Sequence, residues 1–158
     1  MEIVKVCNEP LPELRFIGKR CLCSPENFIK AWDDWYQHGW FDQLEKSGVA
    51  TQNGNAHLGM TSDDGNCYWI GLLFPPSTAV PDGFEHEDIP AGNYAVIKIA
   101  GKNNKELLNE EGAMLCFKEM RNHNFTHDPG RHDFELYTRP FTERGKGKIL
   151  FECMFAIK

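Results

Sequence analysis

The chain has 158 residues, enough for one domain whose core needs no metal or disulfide support. With 17 basic against 23 acidic residues the net charge is -6, and the scattered lysines and arginines make no basic face for a nucleic acid. No apolar run approaches the roughly 20 residues of a membrane span, and the start, MEIVKVCNEP, lacks the pattern of a signal peptide.

The 6 cysteines point to a reducing, cytoplasmic setting, because Cys7, Cys67, Cys116 and Cys153 fall among apolar neighbours in predicted elements. Cys21-x-Cys23 has the wrong spacing for a zinc or thioredoxin-like motif. Ile3–Cys7 reads as a short strand closed by Glu9-Pro10-Leu11-Pro12, and Leu14–Cys23 as a second, with Gly18 a bulge or a close approach. Ser24-Pro25-Glu26 starts a helix that runs to about His38, where Gly39 takes a left-handed cap. Phe28, Ala31, Trp32 and Trp35 form its buried stripe, and Trp40, Phe41 and Leu44 mark a short continuation.

After a turn at Asn53-Gly54-Asn55, His57–Thr61 and Cys67–Phe74 read as a hairpin around Asp63-Asp64-Gly65-Asn66. Pro75 to Pro90, with four prolines and an acidic cluster, carries no clear regular element. Phe84 and Ile89 make it a packed crossover. Gly92–Gly101 is a strand, and Asn104 caps a helix from Lys105 to about Arg121. Asp133–Phe141 and Lys148–Ile157 are the arms of a last hairpin turning at Gly145 and Gly147. Alternation puts Glu135, Tyr137, Arg139 and Phe141 on one face of the first arm. In the second arm Ile149, Phe151, Cys153, Phe155 and Ile157 make an apolar back, and Glu152 stands among Leu150, Met154 and Ala156 on the front. A front that mixes carboxylates with aromatics suits a ligand, and equally fits an ordinary half-solvated sheet.

The expected fold is α+β: duplicated strand-helix-strand-strand modules forming a curved antiparallel sheet, two helices on one side, and a central cleft. Residues 1–158 form a single domain, with one repeat over about 1–74, a crossover over 75–91 and a second repeat over 92–158.

Cys67-Tyr68-Trp69-Ile70-Gly71, Pro81-Asp82-Gly83-Phe84, Ile89-Pro90-Ala91-Gly92-Asn93-Tyr94-Ala95-Val96 and Asp133-Phe134-Glu135-Leu136-Tyr137 together resemble the GyrI-like small-molecule-binding family, also seen as the effector-binding domain of some AraC- and MerR-type regulators. The resemblance implies a cleft between the repeats that accepts flat, often cationic or hydrophobic molecules on a deep glutamate, here Glu135. It also implies a second possibility, since some stand-alone members are described as hydrolases of cyclopropane-bearing DNA-alkylating compounds. Regulators of the family carry a DNA-binding domain ahead of the cleft. This chain starts directly with a strand, so a stand-alone form is expected.

Glu135 is therefore the first candidate, as counter-charge to a cation or, with its pKa raised by burial, as a general base. Glu152 either shares that cavity or pairs with Arg139 across the hairpin. Trp69 is expected to stack on the ligand above open space at Gly71, leaving Tyr68, Ile70, Leu72 and Phe74 in the core. Tyr137 joins Glu135, and Tyr94 lines the rim or packs in the core. A ring reaching the cleft from the first helix is also possible. His123, His127, Asp128, His132 and Asp133 are rich in ligand atoms but lie in a loop without a cysteine or the zinc-protease glutamate, so no metal or cofactor is expected. Glu143–Lys148 is a hairpin turn without P-loop spacing. A third functional class is an inhibitory protein-interaction module, which would show an apolar patch around Pro75–Pro90.

Overall fold

In the computed structural model, residues 1–22, 25–48, 56–61, 67–102, 110–138 and 149–158 are described. Eight strands make one sheet: β1 (Glu2–Leu11), β2 (Leu14–Leu22), β3 (Ala56–Thr61), β4 (Cys67–Phe74), β5 (Glu85–Ile89), β6 (Gly92–Gly101), β7 (Asp133–Thr138) and β8 (Ile149–Ala156). Their spatial order is β1-β6-β8-β7-β3-β4-β2-β5, and every pairing is antiparallel. Among the described residues three helices, α1 (Pro25–Gln37), α2 (Trp40–Ser47) and α3 (Glu110–Asn122), accompany the sheet in an α+β fold. The turns expected at 53–55, 63–66 and 145–147, the Asn104 cap, Cys23 and Arg139 lie outside the described residues.

The order is symmetric about the β3–β7 pair: β2, β4 and β3 on one side answer β6, β8 and β7 on the other. The outer strands break the chain order. β1, which precedes β2, pairs with β6, and β5, which precedes β6, pairs with β2. The stretch 75–90 thus contains a strand that sequence reasoning left as irregular crossover. Its residues, Glu85-His86-Glu87-Asp88-Ile89, hide it because four of five are polar, yet an edge strand with one open side tolerates charge. Arg15 and Arg20 on β2 answer two of those acids, Asp88 at 2.8 Å and Glu85 at 2.9 Å. Ile89 is buried, and Phe84 packs toward Trp35 with ring centroids 6.1 Å apart, as a packed crossover requires. β1 also runs further than expected, through Pro10, since proline costs no ladder bond where its nitrogen faces out of an edge strand.

Gly39 adopts the left-handed conformation (φ 65°) that ends α1 and starts α2. The helices cover one face of the sheet. Trp35, Phe41 and Leu44 are buried there with Ile17, Ile70 and Leu72, while Cys116 and Met120 of α3 are buried with Ile97, Phe151 and Cys153. The opposite face closes on itself. Phe16 on β2 and Phe134 on β7 are three strands apart, roughly 14 Å in a flat sheet. Their ring centroids are 6.2 Å apart, so the sheet is strongly curved.

Two backbones cross tightly where Gly18 and Gly71 stand opposite each other. A methyl on Gly18 would run into the Ile70 carbonyl, and one on Gly71 into the Ile17 carbonyl. The sequence reading of Gly18 as a close approach holds. A methyl on Gly92, in contrast, would meet only the guanidinium end of Arg131. Gly18→Ala is therefore expected to cost about 3 kcal/mol in urea unfolding, because backbone cannot step aside, and Gly92→Ala about 1 kcal/mol or less. Equal midpoints for the two variants would contradict the close crossing.

Candidate functional site

β3 and β7 meet at the symmetry seam, and there Gly59 stands directly across from Glu135. Pairing then decides which side chains accompany Glu135. Its partner on β8 is Cys153, and Tyr137, two residues on, pairs with His57 and Phe151. Alternation sets all of these on the helix-covered face. On β4, Tyr68 pairs with Thr61, which lies two residues beyond Gly59 and on the same face.

The Tyr68 hydroxyl donates to Glu135 Oε2 at 2.8 Å, and the Tyr137 hydroxyl donates to the same oxygen at 2.9 Å. Tyr68 must cross β3 to do this, and Gly59 lets it: a methyl there would collide with the Tyr68 hydroxyl. Glu135 Oε1 has no hydrogen-bond partner among the described residues. Glu135 retains exposed surface, whereas Tyr68, Tyr137, Phe134 and Leu136 around it are buried. A carboxylate is thus held by one oxygen and presented by the other.

Rings wall this carboxylate. Trp32 of α1 meets Tyr137 edge-on with centroids 4.7 Å apart, and Phe151 lies 5.1 Å beyond Tyr137. His57 stacks flat on Phe41 at 3.7 Å and contacts the Tyr36 hydroxyl through Nδ1 at 2.9 Å. Burial pushes the Glu135 pKa up, and the two phenol hydrogen bonds pull it part of the way back. Burial, then the Glu135 charge, drive both phenols well above the usual tyrosine range, so they remain donors.

The structure brings together only part of the predicted site. Glu135 and Tyr137 stand together as expected. They do so on the face with Cys153 and Phe151, which the sequence reading took for the back of the sheet. Trp69, chosen over Tyr68, lies on the opposite face, packed edge-on against Phe16 at 6.2 Å with the Arg20 guanidinium over its ring at 5.4 Å. The space beside Gly71 is filled by β2 backbone rather than open to a ligand. Glu152 pairs with Leu136 and Lys98, so it cannot share a cavity with Glu135. Its pKa is raised by burial and lowered by the charge of Lys98. Tyr94 is also on that far face, buried against Phe134 and beneath Arg131, at 5.8 and 4.9 Å.

Tyr68, read as core, was the missed partner, whereas Trp32 is a ring of the kind the sequence reading left open from the first helix. The signal that could have found Tyr68 was Gly59, small where a long side chain had to pass. The histidines at 123–132 disperse rather than converge: His127 bonds Asp133 at 2.8 Å, His132 the Thr61 carbonyl at 2.8 Å, and His123 the Glu119 carbonyl at 3.1 Å. The exposed large apolar side chains among the described residues are Met1, Val4, Tyr36, Met114 and Phe117, none of them in the 75–90 stretch. Among the described residues no helix is long and apolar enough to cross a membrane.

The model of the GyrI-like small molecule binding domain matches residues 7–158. No curated protein matches the chain. Among solved structures, SAV2435 bound to tetraphenylphosphonium is similar with a TM-score of 0.76 at 16% identity, over 98% of this chain and 94% of that one. The C-terminal domain of EcmrR is similar at 0.67 and 13%, over 100% and 99%. A hydrolase from Listeria innocua is similar at 0.54 and 13%, over 98% and 92%. At such identities the likeness is one of fold.

Glu135 binds its proton more tightly in the folded chain than in the unfolded one. Stability is therefore lost as pH rises through the ordinary carboxylate range up to the raised pKa, and is level above it. Glu135→Gln keeps an acceptor for both phenols and removes this loss. The variant is expected to be more stable than wild type at pH 7, with the gap closing below about pH 4. Thermal melts at both pH values check this; a gap that widens on acidification would contradict it.

Proposed function

The chain belongs to the GyrI-like small molecule binding domain family, and on that premise we propose that it captures flat aromatic, hydrophobic or cationic molecules over Glu135. The ligand lies in a cleft at the β3–β7 seam, between a first repeat of about 1–74 and a second of about 92–158. The observation that carries this reading is a ring-walled carboxylate whose Oε2 is held by two phenols and whose Oε1 takes no hydrogen bond among the described residues. A desolvated carboxylate attracts a cation far more strongly than one in water. Rings that present their faces add cation–π attraction and contact area without losing rotamer freedom. SAV2435, whose fold this chain shares, binds tetraphenylphosphonium, a charged assembly of aromatic rings, and that supports the same class of ligand here. Sequestration of such compounds is the role this chemistry fits.

A second reading rests on the raised pKa of Glu135. A carboxylate made more basic by burial, with one oxygen free, can draw a proton from water as it attacks a strained electrophilic ring such as a cyclopropane. The Tyr68 and Tyr137 hydroxyls would orient the base. Binding and hydrolysis use the same acid, and they differ in whether a water fits between Oε1 and the electrophilic carbon.

Calorimetric titration with tetraphenylphosphonium tests the first reading. Glu135→Gln is expected to weaken binding roughly a hundredfold and Tyr68→Phe roughly tenfold, since each removes a charge or a charge-assisted hydrogen bond. Glu152→Gln is expected to leave the affinity within about twofold, because that residue faces the other way. Equal losses at Glu135 and Glu152 would contradict the assignment. Mass spectrometry of a cyclopropane-bearing alkylator incubated with the chain tests the second: a water adduct made by wild type, absent with Glu135→Gln, is the expected sign of turnover.

A further inference from the structure

The cleft face carries a second chemistry that ligand capture does not use. Cys116 on α3 and Cys153 on β8 are free thiols with their Sγ atoms 3.7 Å apart. Cys153 stands directly across the β7–β8 ladder from Glu135, on the same face, so the thiol pair lies beside the carboxylate. A disulfide needs about 2.05 Å between sulfurs, so bonding would draw the two together by about 1.6 Å. α3 is placed to make that movement. Met114 on its outer side is exposed, Phe117 is half exposed with its ring 5.1 Å from that of Phe155, and Cys116 and Met120 pack on the sheet.

The two thiols differ in character. The hydrogen bond that joins them is the first cause of a lowered pKa at Cys116 and, with burial, of a raised one at Cys153. The contact thus favours one thiolate beside one protonated sulfur over two thiolates. The Glu135 charge opposes ionisation of both. Buried thiols are ordinarily inert. This pair adjoins Glu135, which retains exposed surface, and Cys153 itself is 7% exposed.

We propose that Cys116 and Cys153 are a peroxide-oxidised dithiol whose disulfide draws α3 onto β8 and weakens ligand binding at Glu135. The effect on binding rests on the ligand-capture reading above; formation of the bond does not. The Cys116 thiolate attacks one peroxide oxygen, the O–O bond breaks, and hydroxide leaves and is protonated to water. The resulting sulfenic acid is then attacked by the Cys153 sulfur. The S–O bond breaks, and the departing oxygen takes up the Cys153 proton as a second water. Two thiols and one hydrogen peroxide thus become one disulfide and two waters.

The full chain, reduced and then treated with hydrogen peroxide, is digested after its remaining thiols are blocked, and the peptides are read by mass. A Cys116–Cys153 cross-link is expected, reversed by dithiothreitol and absent in Cys116→Ala and Cys153→Ala. Oxidation is expected to weaken tetraphenylphosphonium binding roughly tenfold in wild type and to leave both variants unchanged. Oxidation of other cysteines without this cross-link would overturn the proposal, as would a cross-link that leaves affinity unaltered. Failure of reduced wild type to bind tetraphenylphosphonium would count against the capture reading alone. The disulfide is then judged by the cross-link and by amide exchange in α3, expected to slow on oxidation of wild type but not of Cys116→Ala; unaltered exchange would overturn it.

Discussion

A carboxylate on the covered face of a sheet is costly unless its charge is answered, and the seam of this protein is built around answering it. Glu135 takes two phenol hydroxyls on one oxygen. One donor comes from its own strand, two residues away. The other must reach it from β4, across the full width of β3, and it does so over Gly59. Loss of either phenol would leave this covered carboxylate with a single donor on that oxygen, and such a loss costs more than an exposed hydrogen bond is worth. The same arrangement stops short of full satisfaction among the described residues, where the second oxygen of Glu135 takes no hydrogen bond.

That incompleteness is where stability and function part. Burial raises the proton affinity of Glu135, so the fold pays for an ionised group that it does not fully neutralise. A cation seated against the free oxygen would supply what the fold withholds. The aromatic wall runs from Trp32 through Tyr137 to Phe151. On the opposite face Glu152 has Lys98 as its ladder neighbour, Trp69 has Phe16, and Phe134 has Tyr94, while the Tyr94 hydroxyl and two guanidinium nitrogens of Arg131 are buried without a hydrogen bond among the described residues.

Most strands and helices could be read from alternation and helical spacing, because long apolar runs broken by Gly, Pro and Asn leave few choices. Glu135 and Tyr137 could be paired because they are two residues apart on one strand. The choice between Tyr68 and Trp69 could not be made that way. Both faces of β4 are buried, one by helices and one by the sheet's own curvature, so each alternating set looks like core. Period alone does not say which buried face holds the carboxylate; only the register through Gly59 does. Likewise Glu135 and Glu152 look like neighbours in a hairpin, but antiparallel pairing sets Glu135 against Cys153 and turns Glu152 away. β5 escaped because an edge strand needs apolar residues on only part of one side.

The exchange of the outer strands has a consequence for how such a chain can arise and be divided. β1 leads the first half yet completes the second, and β5 leads the second half yet completes the first. Cut between β4 and β5, the chain would yield two pieces of similar plan, each with its leading arm extended and the edge that arm should cover laid bare. Neither would be a finished object, and each would be the natural complement of the other. The molecule has the architecture of two short polypeptides embracing by reciprocal arms, made permanent by a single covalent link, with the carboxylate set where the two would have touched.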